Sequence, residues 1–139
     1  MKRKIIFVAV LGIALAVFVI LDIVRQDNAK STAAQIVSSG RTWIRLQQTY
    51  VKDVGTVGSA QRIGYAAPES NYFEYRTILN DRETATWTAM LKEPLGRCQE
   101  GIWSIVFTAA QPKEIIRVEI RGGENCEALV SNFRELGNN

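Results

Sequence analysis

The hydrophobic pattern of this chain changes period twice. Residues 5–21 carry no charge at all, and after Asp22 the pair Ile23 and Val24 extends the apolar run to 20 positions before Arg25 closes it. A membrane span takes about 20 apolar residues, with about 17 as a lower limit. A soluble core helix of this length would show a polar face, and this run has none. Ile5, Val8, Leu11, Leu15 and Val19 are therefore expected to face lipid. From Ala29 to Val51 the pattern turns amphipathic. Ala29, Ala33, Ile36, Val37, Gly40, Trp43, Ile44, Tyr50 and Val51 recur mostly three and four apart, while Lys30, Gln35, Arg41, Arg45 and Gln48 fall off that stripe. This spacing predicts a helix with one buried face. No proline occurs before Pro68, so the two stretches read as one continuous helix ending near Lys52 and Asp53. Ile36, Val37, Trp43, Ile44 and Tyr50 are expected to pack on the rest of the chain.

Beyond Gly55, Gly58 and a second loop around Pro68, the period becomes two. Four strands are predicted, at residues 72–79, Thr84–Leu91, residues 102–109 and Ile115–Arg121. Short polar connections at residues 80–83 and 111–114 favour an antiparallel meander. Such a sheet buries one face and wets the other, and the stripe of the long helix is expected to cover the buried face. After Gly122 and Gly123, the positions Cys126, Leu129, Val130, Phe133 and Leu136 predict a short closing helix or helical turn that stops at Gly137. The expected fold class is α+β. Residues 1–24 form the anchor, 25–52 the amphipathic continuation of the same helix, and 53–139 a β-rich head.

Charge changes this picture by giving it a direction. The 139 residues carry a formal net charge of +3, with 17 Lys+Arg against 14 Asp+Glu. Lys2, Arg3 and Lys4 account for the whole excess, so the remainder is neutral and carries no electrostatic signature of nucleic-acid binding. Three cations before the span place the N-terminus in the cytoplasm and the head outside it. A cleavable signal peptide is the competing reading, with a small-residue site at Ser31, Thr32 and Ala33. That site lies far beyond the apolar run, and the run exceeds the 7–15 residues of an ordinary signal core. Cys98 and Cys126 both fall in the exported part, where two thiols pair. A bridge between them closes a loop of 27 residues, worth roughly 3–4 kcal/mol in the chain-entropy account.

Candidate chemistry is sparse. The chain has no histidine, which removes the commonest general base and metal ligand. It also has no phosphate-binding glycine loop. The acidic pairs Asp81 with Glu83 and Glu124 with Glu127 lie in a turn and at a helix start, where solvated charge is the ordinary reading. Tyr72, Phe73 and Tyr75, with Trp43, Trp87 and Trp103, read first as sheet and core packing. No catalytic residue, metal or cofactor is expected.

A one-span helix continuing amphipathically into a four-stranded antiparallel head with a late cysteine pair resembles the type IV pilins and pseudopilins of bacterial filaments. Residues 61–76 and 103–107 are similar to head segments of short pilin-like proteins. The resemblance implies a helix that packs subunits together and a cysteine-bounded terminal loop at the subunit surface. The chain departs from the family pattern at its start. Lys4 runs directly into Ile5 without a glycine, and no glutamate occurs before Glu69. Those departures imply a divergent relative that is not processed in the ordinary way. The resulting expectation is a non-catalytic structural or accessory subunit of a surface filament or secretion system. It would be held in a bacterial inner membrane, with the membrane and other pilin-like subunits as partners. The alternative is a single-span envelope protein whose head binds another partner.

Overall fold

A computed structural model of the protein describes residues 2–138, with side chains from Ile6 onward. One helix, α1, runs from Lys2–Val54 without a break, slightly past the expected stop. No proline interrupts it, and it ends where Gly55 turns to φ 87°, its amide donating to Val51 O at 2.7 Å. A single helical turn, α2 (Ala60–Ile63), follows. Then come four strands, β1 (Phe73–Leu79), β2 (Thr84–Leu91), β3 (Ile102–Thr108) and β4 (Ile115–Arg121). They pair in sequence order, every neighbour antiparallel, as one open sheet. The fold is α+β, as the pattern predicted.

The inner face of the sheet is built from rows that alternate large and small side chains. One row sets Tyr75, Ala89, Trp103 and Ile120 side by side, and the next Thr77, Trp87, Ile105 and Val118. A third row holds Leu79, Ala85, Phe107 and Ile116. Each bulky ring is thus flanked by a residue that leaves room for it, which lets the layer reach interior packing density. Phe73 meets Trp103 edge-on at 6.0 Å, and Trp43 of α1 meets Phe107 edge-on at 6.3 Å. The buried indole N–H groups of Trp43 and Trp103 have no acceptor. That cost of about 1–3 kcal/mol each is set against rings that each bury on the order of 150–250 Å².

The C-terminal half of α1 lies across this face. Ala29, Ala33, Ile36, Val37, Trp43 and Ile44 are buried. Gly40 marks the closest approach: a Cβ there would sit 2.8 Å from Ile105 Cδ1 and 3.3 Å from Leu136 Cδ1. Tyr50, expected against the sheet, is half-buried and lies beside Gly58 in the loop after the helix. Two polar residues share the stripe. Gln47 clasps Gly58, donating to its carbonyl at 2.7 Å and accepting its amide at 3.0 Å. Ser39 bonds the Tyr65 hydroxyl at 2.6 Å, and that hydroxyl also accepts Trp87 Nε1–H at 2.8 Å. These bonds satisfy groups that would be costly to bury unpaired.

The C-terminal segment holds both a short helix and a separate turn where one or the other was expected. A short helix, α3 (Glu124–Leu129), ends at Val130, whose non-helical backbone (φ −131°, ψ 64°) breaks the run. A separate 3-10 turn, Phe133–Gly137, then carries Phe133 and Leu136 into the core. The apolar spacing was right about which residues are buried but did not reveal the break between them.

Candidate functional site

Two features stand apart from the packed head: the first half of α1, and the collar where that helix meets the head. From Ile6 to Val24 the large apolar side chains are bare, from 49% exposed at Val17 and Val24 to 81% at Phe7. Val8, Leu11, Leu15 and Val19 are all among them. Among the described residues none buries the most apolar window of this segment, whose mean hydropathy is 3.0. The helix is long and apolar enough to cross a membrane. The side chains of Lys2, Arg3, Lys4 and Ile5, on which orientation and the start of the run depend, lie outside the described ones.

The collar is assembled from the loop between β2 and β3 and from α3. Cys98 in that loop and Cys126 in α3 form a disulfide, with Sγ atoms 2.00 Å apart and a sequence separation of 28. Leu95 and Cys98 exchange backbone hydrogen bonds of 2.9 and 3.1 Å, closing a tight turn. At its tip Gly96 has φ 58°, a left-handed conformation that suits glycine. A Cβ at Gly96 would stand 2.8 Å from Gln26 Oε1 and 3.0 Å from Ala29 Cβ, so the turn lies directly on α1. Arg97 Nη2 then reaches Asp22 Oδ2 at 2.8 Å. This pair joins positions 75 residues apart. It fixes the head at the level of the last apolar turn of the helix.

Two open clefts flank α1 at that level. One, of about 390 Å³, lies between Leu21, Val24, Arg25 and Asn28 of α1 and the wall made by Tyr72 and Pro94. The other, of about 360 Å³, contains the closed Asp22–Arg97 pair together with Asp27 and Lys30.

Several other titratable groups are engaged in local structure. Asp81 Oδ1 accepts the amides of Glu83 at 2.7 Å and Thr84 at 2.8 Å, shaping the β1–β2 turn. Glu127 pairs with Arg134. On the outer face of β4, the hydrogen bond and charge of Arg121 hold the Glu119 carboxyl below the usual range. Burial raises the Tyr75 phenol well above its ordinary value, with Tyr65 adding to the shift, and its hydroxyl donates to Gln35 Oε1 at 3.3 Å. Neither shift places a group near neutrality, where acid–base catalysis works best. No cluster of three metal-ligating side chains occurs among the described residues.

The structure places Ile36, Val37, Trp43 and Ile44 in the core, Cys98 and Cys126 in the collar, and Val8, Leu11, Leu15 and Val19 in the bare segment. It also brings in residues that the sequence did not single out: Asp22 with Arg97, Gln47 with Gly58, and Ser39 with Tyr65. Gln47 could have been found, since it falls four positions after Trp43 on the same stripe. No family model, no curated protein and no solved structure matches this chain. The layout itself, a long N-terminal apolar helix followed by a four-stranded antiparallel sheet, is consistent with that of pilin-like proteins.

Proposed function

We propose that this chain is a non-catalytic, membrane-anchored subunit of pilin-like type, serving a filament or secretion assembly through contacts of its long helix. One observation carries the reading: a single 53-residue helix whose second half is core and whose first half is bare. Burying a large apolar side chain yields about 1.5–3 kcal/mol, so a segment this apolar is covered in its working state. A bilayer covers it during anchoring, and neighbouring helices of the same kind cover it in an assembly. The head, residues 53–139, carries 9 Lys+Arg against 12 Asp+Glu and presents no metal-ligating cluster among the described residues, which fits a role in protein contacts rather than turnover.

A photo-reactive residue placed at Leu11 in the living cell tests this. Leu11 is bare and lies mid-run. Crosslinked products containing further copies of the chain or other apolar-helix proteins are the expected outcome. Adducts with lipid alone would instead support the second reading, an anchored envelope protein whose head binds a partner by itself. N-terminal sequencing of the mature chain adds a second measurement. An N-terminus within the apolar run would show pilin-type processing, and an intact Met1 would show a retained, unprocessed anchor.

A further inference from the structure

The two clefts beside α1 lie at the same height but differ in charge. In one, Asp22 and Arg97 neutralise each other. In the other, Arg25 stands exposed with no carboxylate in ion-pair reach among the described residues. Asp22, three residues earlier and able to serve Arg25, is taken by Arg97. Helical side chains lean toward the N-terminus, so Arg25 leans back over Leu21, four residues before it on the same face. Leu21 and Val24 line the lower part of this cleft, and both are continuous with the bare run. Tyr72, 40% exposed, forms the opposite wall with Pro94.

Height relative to the bilayer follows from helix geometry. Twenty residues at about 1.5 Å each span about 30 Å, the thickness of a hydrocarbon core. With residues 5–24 in that core, Arg25 stands at its edge, among headgroups. The cleft then has an apolar floor in the acyl region, a free cation at phosphate level and an aromatic wall of the kind enriched at membrane interfaces. We propose that this cleft seats one phospholipid of the head-side leaflet, its phosphate on Arg25 and Asn28 and the upper part of an acyl chain along Leu21 and Val24. A free anion would use Arg25 but has no use for the apolar floor. The proposal rests on the membrane-anchor reading and adds to it a defined lipid position.

The test uses the full chain in vesicles of phosphatidylglycerol and phosphatidylethanolamine in equal amounts, released gently and weighed by native mass spectrometry. The parent should retain one phosphatidylglycerol. Arg25→Gln should retain about tenfold less, as expected for loss of one charge-assisted contact. Arg25→Lys should restore part of the retention, and Lys30→Gln, in the opposite cleft, should match the parent. Equal retention by the parent and Arg25→Gln overturns the proposal. Full displacement by excess inorganic phosphate also overturns it, by showing a free-anion site. Alkaline carbonate extraction from the same vesicles tests the anchor separately. A chain that resists extraction yet retains no lipid overturns this proposal alone, and a chain that is extracted overturns both.

Discussion

At the scale of single residues, space and protonation decide the outcome. Alanine is favoured over glycine inside a helix by about 1 kcal/mol. At Gly40, however, the added Cβ falls 2.8 Å from Ile105 Cδ1, and Ile105 is fully buried. The two effects oppose each other, so Gly40→Ala should change stability by less than about 1 kcal/mol. Gly40→Leu, which has no such space, should cost about 1–3 kcal/mol or more through overpacking. Gly12 has nothing within 4 Å of an added Cβ, and Gly12→Leu should leave the melting of the head unchanged. Near-ultraviolet circular dichroism of the detergent-solubilised chain reads all three. A Gly40→Leu variant that melts with the parent would show that α1 does not lie this close to β3. Tyr75 gives the second residue-level expectation. Burial favours its neutral phenol, so its folded pKa lies above the unfolded value of about 10. The stability this contributes is complete below about pH 10 and is lost as pH rises beyond it. A tyrosinate absorbance titration of the folded chain should show a late step, displaced above the unfolded value, that belongs to Tyr75. Tyr75→Phe should remove that late step. If the same late step persists in the variant, another tyrosine is the protected one.

At the scale of elements, the decisive packing is that of α1 on the sheet. Ile36 is fully buried, whereas Arg41 is exposed. Ile36→Asp would bury an unpaired carboxylate, a cost of several kcal/mol, comparable to the whole stability of a small domain. Arg41→Ala should stay within about 0.5 kcal/mol of the parent. Urea unfolding followed by tryptophan fluorescence distinguishes them, and coincident curves would mean that the stripe faces something other than the sheet. The strands were legible in the sequence because a period of two, bounded by polar turns, admits few alternatives. The bounds of β2 and β4 agree with the pattern to the residue, and β3 ends one residue early, at Thr108. Elements of barely one period were not legible. α2 has only four residues, too few to show periodicity, although Ser59 at its start and Gly64 at its end carry ordinary capping signals. The break at Val130 was hidden because apolar spacing reports burial and says little about backbone continuity. The Asp22–Arg97 contact was beyond reach for a different reason: nothing local marks a pair that only the folded collar brings together.

At the scale of the whole molecule, the disulfide collar and the bare helix set one orientation problem. The bridge between Cys98 and Cys126 persists only where thiols are oxidised. Thiol titration of denatured, unreduced chain taken from the cell envelope should therefore find no free thiol, and two would place the head in a reducing compartment. The charges near the ends of the span give an independent expectation. Lys2, Arg3 and Lys4 precede the run, and Arg25 and Lys30 follow it. Acidic residues weigh little in orientation, so Asp22 and Asp27 do not change the balance. The bias is one positive charge toward a cytoplasmic N-terminus. Arg97 is occupied by Asp22 and lies within the head, so it adds nothing to the count near the span. Protease added to spheroplasts should remove the region beyond Val54 and leave a short membrane-held fragment. Replacing Lys2, Arg3 and Lys4 with Gln leaves no cation before the run against two after it, which reverses the bias, and a fraction of the chains should then become protected. The collar supplies a check on the same experiment, because inverted heads would enter the cytoplasm and yield free Cys98 and Cys126 in proportion to the protected fraction. If the unaltered head resists protease until the membrane is broken, the head is cytoplasmic. The exported disulfide and the pilin-like reading would then fail together.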